Sequence, residues 1–260
     1  MVWRRFRVEI HIGFTAQSIT TQLIENKLVV ILDIFRATST ITTALAHGAG
    51  AVYPVSSVEE AYRLKNIYPE ALLGGEENSD KITGFDLGNS PLEYIPDLVS
   101  GRKIILCTTN GTKAICNSSG AKDIYIGSFL NASALVRKIL DQNLDIYLAC
   151  AGTKATYSLE DTCCAGYLIK LLSQWLTPKL SDAALGALAL YQAYAENLPF
   201  HLSKSRNGQV LQAKGRWADI EYCCLRNKLA AVPIYREGII SVTGVQCPVL
   251  SLPTFVNRKP

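Results

Sequence analysis

Short, almost wholly apolar runs recur along the chain and alternate with stretches of helical periodicity. LVVIL (28–32), AVYPV (51–55), KIILC (103–107), DIYI (123–126) and DIYLAC (145–150) read as strands. Near-continuous apolar runs of this length suit strands covered on both faces, as in parallel α/β sheets. Between them the pattern predicts helices over 39–47, 58–67, 112–118, 132–142 and 160–176. The β-α-β-α order predicts an α/β fold, a layered α/β/α sandwich around a largely parallel sheet. Pro54 has no N–H to give a ladder, which moves the 51–55 strand towards an edge or a bulge.

A weak internal repeat runs through this pattern. LVVIL is followed by DIFRATST, a helix, a Gly-Ala turn and AVYPVSS; KIILC is followed by TTNGTKA, a helix, a Gly-Ala turn and DIYIGS. The expectation is a single domain over 1–260, built from two similar α/β halves with a loose boundary near 100–145. Two ordinary βαβ units explain the likeness equally well. Both polar loops would then open at carboxyl ends of strands, where ligands of α/β sheets bind. Farther on, Ser181 or Asp182 can cap an apolar helix, SKSRNGQVL reads as a polar loop, and AAVP and IISV close the pattern.

Composition narrows the class. Of 260 residues, 48% are hydrophobic and 18% charged, against roughly 25% charged in ordinary soluble domains. That excludes a disordered chain. Twenty-six Lys and Arg against 22 Asp and Glu leave a net charge of +4, too weak an excess to argue for nucleic acid. The eight cysteines include no CxxC pair, and several, Cys107 and Cys150 among them, end apolar runs as small buried hydrophobes do. The first residues show no signal-peptide pattern, and no run approaches a membrane span. A cytoplasmic protein with reduced thiols and no membrane partner is expected. The apolar richness leaves room for a homo-oligomer interface.

Polar residues concentrate in a few loops. In DIFRATST, Asp33 can hold a metal ion or attack phosphorus while Arg36 takes an anion; an Asp cap with a surface Arg explains the same residues. TTNGT offers small hydroxyls and free N–H groups to oxyanions, yet lacks the GK[ST] ending of a Walker loop. GGEEN and SLED supply Glu76, Glu77, Glu160 and Asp161, oxygen donors of the kind magnesium takes, although SLED equally fits the first turn of a helix.

Taken in order, VVILDIFRATSTITTALAHGA, GGEENSDKITGFDLGNSPLEY, TTNGTKAI, GSFLNASAL and CAGTKATYSLEDTCCAG resemble the 2-phosphosulfolactate phosphatase family. The likeness spans about residues 28–235 and continues through SRNGQVLQAKGRWADIEYC and VPIY. The resemblance implies a Mg2+-dependent hydrolase of phosphate monoesters on 2-hydroxy carboxylic acids, as in coenzyme M biosynthesis. It places family motif positions on Asp33, Arg36 and Thr38, on Glu76, and on Asp86, Asn89 and Ser90. It also places them on Thr108, Thr109, Asn110, Gly111 and Thr112, on Ser128 and Asn131, and on Cys150, Gly152, Thr153, Glu160 and Asp161. Glu77 stands where relatives often carry arginine, and Asn207 where many carry histidine, which bears on the exact substrate.

An anionic ester needs cations to gather it and to stabilise the transferring phosphoryl group. Mg2+ with Arg36 meets that need, with the TTNGT and GSFLN loops cradling oxygens and Asp33, Glu76, Asp86 and Asp161 as the pool of metal ligands. Asp33, Arg36, Cys150 and Glu160 are the catalytic candidates. A carboxylate or a metal-activated water is favoured as nucleophile over the Cys150 thiolate. The rival readings are a non-catalytic binder of small phosphorylated or sulfonated acids and a phosphoryl transferase using the same pocket.

Overall fold

Side chains on successive residues of a strand point to opposite faces, and the strand at 28–32 shows where each face goes. Leu28, Val30 and Leu32 enter one apolar core, while Val29 and Ile31 enter a second. A strand buried on both faces requires a covering layer on each side. The computed structural model, which describes residues 8–242, has both layers.

Eleven strands form one sheet among the described residues. They are β1 (Glu9–Gly13), β2 (Leu28–Leu32), β3 (Ala51–Val55), β4 (Leu72–Glu77), β5 (Asp80–Lys81), β6 (Lys103–Cys107), β7 (Asp123–Gly127), β8 (Ile146–Cys150), β9 (Lys179–Leu180), β10 (Pro233–Arg236) and β11 (Ile239–Val242). The helices are α1 (Thr21–Ile24), α2 (Ala37–Ala46), α3 (Val58–Ile67), α4 (Pro96–Val99), α5 (Gly111–Asn117), α6 (Ala132–Leu140), α7 (Leu159–Leu172), α8 (Asp182–Tyr194), α9 (Leu198–Leu202), α10 (Arg206–Ala213) and α11 (Trp217–Cys223). The sheet order is β5-β4-β6-β3-β11-β10-β7-β2-β8-β1-β9, and most neighbours are parallel. Helices α6 and α7 cover one face of the β2–β8 region, α2 and α5 cover the other, and α3 packs on β3, β4 and β6. This is the α/β sandwich that the apolar runs predicted.

The two units of the internal repeat interlock. β2 leads through α2 to β3 and β6 leads through α5 to β7, yet β2 pairs with β7 and β3 with β6. The β10–β11 hairpin sits between the two pairs, and its three antiparallel pairings reverse β3, β6 and β4 relative to β7, β2, β8 and β1. Sheet twist, roughly 20–25° per step, offsets much of that reversal between β2 and β6. Their carboxyl ends meet where Asp33, after β2, accepts Gly111 N–H, after β6.

Three expectations change. Pro54 does not mark an edge: β3 lies inside the sheet, and the missing N–H is tolerated because β11 pairs with it only at Val52. GGEE is the end of β4 rather than a loop, its glycines allowing backbone to approach closely. Most of SKSRNGQVL is helix rather than loop: from Arg206 on it belongs to α10, and the Ser205 hydroxyl accepts from Gly208 N–H and starts a helix that glycine content had hidden. Cys247 and the amino-terminal MVWRRFR lie outside the described residues. Among the described residues no helix is long and apolar enough to cross a membrane.

Candidate active site

Asp33 follows β2 and is nearly buried, 8% exposed. Its carboxylate accepts the backbone N–H groups of Ala37, which opens α2, and Gly111, which opens α5. A Cβ on Gly111 would lie 2.9 Å from Asp33 Oδ2, so glycine is what lets the TTNGT loop close on the acid. Thr38 Oγ1 accepts from Asp33 N at 3.1 Å and donates to Asp33 O at 3.0 Å, fixing the backbone that presents the carboxylate. Burial, then the charges of Glu76 and Glu160, raise Asp33 to about 7 in spite of the N–H groups facing it.

Glu76 ends β4. Gly75 beside it has φ +147°, and a Cβ there would lie 2.1 Å from Cys107 O, so only glycine permits this approach of β4 to β6. Glu76 Oε2 accepts from Ser79 N at 2.6 Å, and Oε1 accepts from Thr109 Oγ1 at 3.2 Å. Asn78 and Ser79, at φ 52° and 67°, form the two-residue turn between β4 and β5, which hangs over the site.

Arg36 is 2% exposed and firmly held. Its Nη1 donates to Asp219 Oδ2 at 2.7 Å and its Nη2 to Ser79 O at 3.0 Å. Asp219 Oδ1 accepts in turn from Ser90 Oγ at 2.5 Å. The guanidinium thus stands at the cleft as half of a buried ion pair, with its charge balanced.

A single cleft gathers much of the expected set. Asp33, Phe35 and Arg36 line it from β2, and Glu76, Asn78 and Ser79 from the β4–β5 hairpin. Asn89, the Thr108, Thr109 and Asn110 loop after β6, Thr153 and Lys154 after β8, and Asn207 of α10 complete it. Gly111 touches Asp33 from below, and Thr112 Oγ1 lies 3.2 Å from Thr108 Oγ1.

Other candidates lie elsewhere. Ser90 faces Asp219 rather than the cleft. Ser128 and Asn131 are fully buried after β7: Asn131 Oδ1 accepts from Ser128 N, and its Nδ2 donates to Ile126 O and Ala231 O. They brace the chain entering β10 and line no cavity described here. Asp86 is exposed, and its carboxylate accepts from Leu73 N at 2.8 Å at the start of β4, so it does not join the pool of metal ligands at the cleft. Glu77 pairs with Asp80 on the outer hairpin, so the departure from the family arginine also falls outside the cleft lining.

Cys150, Glu160 and Asp161 form a buried layer beneath the cleft. Cys150 is 0% exposed, and burial, with the charge of Asp161, pushes its thiol well above the ordinary range. The geometry therefore takes it out of reach as a thiolate nucleophile. Asp161 opens α7 and accepts from Ile34 N at 2.8 Å and Gly152 N at 3.2 Å, tying the β2 and β8 loops together. Burial, then the charges of Asp33 and Glu160, raise it. Burial raises Glu160 as well, against hydrogen bonds that include one from Asn207 Nδ2 to its Oε1 at 2.8 Å.

The donors at the cleft fit a hard divalent cation of the magnesium type. Asp33 and Glu76 are two carboxylates on one cavity, and Asn89 Oδ1 is a buried oxygen with no hydrogen-bond partner among the described residues. Magnesium uses one or two carboxylates and completes its shell with water and substrate oxygen. No group of three or more His, Cys, Asp or Glu side chains able to hold a metal occurs among the described residues, so this is an incomplete, open donor set.

Asp219, Lys154, Asn78 and Ser79 escaped the sequence reading. Asp219 and Lys154 lay inside matched stretches, RWAD and CAGTK, without forming a recognisable chemical pair. Asn78 and Ser79 could have been found as a polar pair between a strand and a short apolar-free segment.

The chain's similarity to known proteins agrees with this layout. A family model described as 2-phosphosulpholactate phosphatase matches residues 14–238. Relatives named "Probable 2-phosphosulfolactate phosphatase" include one from Clostridium acetobutylicum, 39% identical over 90% of this chain and 100% of its own length. Another from Carboxydothermus hydrogenoformans is 46% identical over 80% of this chain and 86% of its own. The matched stretch runs from before β2 to the β10–β11 turn and so contains every residue that lines the cleft. The chain belongs to the 2-phosphosulpholactate phosphatase family.

Proposed function

We propose that the protein hydrolyses the phosphate monoester of a 2-hydroxy acid of the 2-phosphosulfolactate type, with Mg2+ as its cofactor. The observation that carries the reading is Asp33: a carboxylate raised to about 7, beside Glu76 and the unpartnered Asn89 Oδ1, on a polar cleft of a family phosphatase. A group that titrates near neutrality can take a proton from water and release it again, as a general base must. Asp33 accepts at its carboxylate the proton of the water that attacks phosphorus, and that proton returns to the 2-hydroxy oxygen that leaves as the ester P–O bond breaks. Glu76 and Asn89 Oδ1 would hold Mg2+ beside Asp33, and the bound ion would supply charge stabilisation for the phosphoryl oxygens.

Thr108, Thr109 and Asn110 offer hydroxyl and amide donors to those oxygens from the same wall. Arg36, fixed by Asp219 and Ser79 O, lines the same cleft in a position that needs no rotamer search. The Asn78–Ser79 turn narrows the mouth above them.

The test is release of inorganic phosphate from 2-phosphosulfolactate and from phospholactate with Mg2+ present. EDTA is expected to abolish it and added Mg2+ to restore it. No release from either ester overturns the hydrolase reading, and undiminished release in EDTA overturns the metal.

A further inference from the structure

The cleft joins groups of different chemistry. Asp33, Glu76 and Asn89 Oδ1 are all oxygen acceptors, suited to a metal ion and a phosphoryl group. The same cleft is also lined by Thr153 and Lys154, from the loop after β8, and by Asn207 of α10. An ester of the class proposed above bears a carboxylate beside the phosphate-bearing carbon and, in 2-phosphosulfolactate, a sulfonate as well, and the Asp33 and Glu76 carboxylates cannot receive either.

Lys154 can. Two cations line the cleft, Arg36 and Lys154. Arg36 is neutralised by Asp219 at 2.7 Å. Lys154 makes no ion pair or hydrogen bond with the described residues, so its ammonium is not held by a partner at contact distance. Its placement is set by tertiary structure. Thr153 and Thr156 bond to each other through both backbone pairs, at 2.9 and 3.0 Å, and leave Lys154 and Ala155 as the two turn residues. Their φ values of 50° and 63° are left-handed, a conformation that a two-residue hairpin normally assigns to Asn or Gly. Strained positions of this kind persist where the surroundings enforce them, and they gather at functional sites.

Thr153 adds a directed donor. It is 5% exposed, and its Oγ1 accepts from Asn207 Nδ2 at 2.8 Å. The other Asn207 amide hydrogen goes to Glu160 Oε1, also at 2.8 Å. With the lone-pair side of the Thr153 hydroxyl occupied and no acceptor for its hydrogen among the described residues, the O–H is left to donate into the cleft. An ammonium beside a free hydroxyl donor is a receptor for an oxyanion.

We propose that Lys154 and the Thr153 hydroxyl form the subsite for an anionic group of the substrate other than its phosphate, the carboxylate or the sulfonate, and so select esters that carry such a group over simple phosphate monoesters. This rests on the phosphatase reading above and adds the group that sets specificity. The acidic groups serve the phosphate end; the Thr153–Lys154 turn reads what is attached to it.

The experiment compares kcat/KM on three esters: 2-phosphosulfolactate, phospholactate and isopropyl phosphate, which has no second anion. In Lys154→Met the preference for the anionic esters over isopropyl phosphate is expected to fall about 10-fold or more, chiefly through KM, and Lys154→Arg to restore most of it. A loss on both anionic esters assigns the subsite to the carboxylate; a loss confined to 2-phosphosulfolactate assigns it to the sulfonate. Thr153→Val is expected to move the same preference in the same direction. If the wild-type protein turns these esters over and Lys154→Met leaves the preference unchanged, the subsite is overturned while the phosphatase reading stands. If the wild-type protein releases phosphate from none of them, both fall.

Discussion

Two polar loops follow neighbouring parallel strands, one after β2 and one after β7, and they do opposite things. The β2 loop places Asp33 in the cleft, where burial and neighbouring carboxylates hold it far from its ordinary titration range. The β7 loop turns inward. Asn131 there meets Ser128 N, Ile126 O and Ala231 O and keeps no polar group for a ligand. The two loops look alike in composition: each has hydroxyls or amides at a strand end before a helix. What separates them is whether their polar atoms are already satisfied. A loop whose hydrogen bonds close among themselves is a brace, and one that keeps unmet demand is a binding site.

That contrast can be broken most forcefully at Asp33. Asp33→Asn is expected to lower kcat/KM on the order of 10^2–10^4-fold, the usual range for losing a general base. The same change should stabilise the metal-free protein at high pH. The folded-state value of about 7 lies above the ordinary aspartate value of 3.8, so an ionised Asp33 weighs against the folded state as pH rises between the two. Thermal melts in EDTA should show the variant ahead of wild type at pH 8, with the gain shrinking below 7 and gone below 3.8. A variant that keeps full activity removes Asp33 from the chemistry.

Asn131→Ala should give the reverse signature. Leaving several buried backbone groups unpaired costs about 1–3 kcal/mol each. With three such groups, Ser128 N, Ile126 O and Ala231 O, and roughly 2–4 °C per kcal/mol, the melting temperature should fall by at least about 6 °C, with KM for the ester close to wild type. A large rise in KM in a fully folded sample would return the β7 loop to the binding site. The smallest effect belongs to Cys150→Ala. Because the thiol is buried and held protonated, kcat/KM should stay within about twofold of wild type and only modest stability be lost; a loss of turnover in the folded variant would restore the thiolate route.

Much of the sheet was legible in the chain because a strand buried on both faces must be apolar at every position. β2, β3, β6, β7 and β8 announced themselves in that way. β4 did not, since glycine and glutamate fill its carboxyl half where β6 approaches closely and the cleft begins. α10 did not either, because its cap, Ser205, and its glycine read as turn chemistry until Gly208 N–H is seen to bond to that cap. Within the cleft, Asp33, Glu76 and the 108–111 loop could be proposed from residue type at strand ends. Asp86, equally acidic, could not be told from them, since only the fold turns its carboxylate to Leu73 N–H and leaves it outside the cleft lining.

The sequence by itself determined the alternation of apolar strands and helices, the placing of polar residues at strand ends, and membership of a phosphatase family. Those are local or ordered along the chain, and a linear reading captures them. Tertiary structure alone decided that β2 pairs with β7, that Arg36 is balanced by Asp219 while Lys154 has no partner at contact distance among the described residues, and that Cys150 lies beneath the cleft. Burial, charge balance and hydrogen-bond satisfaction are sums over neighbours that lie far apart in the chain, as Arg36 and Asp219 do, and they acquire values only when the fold brings those neighbours together.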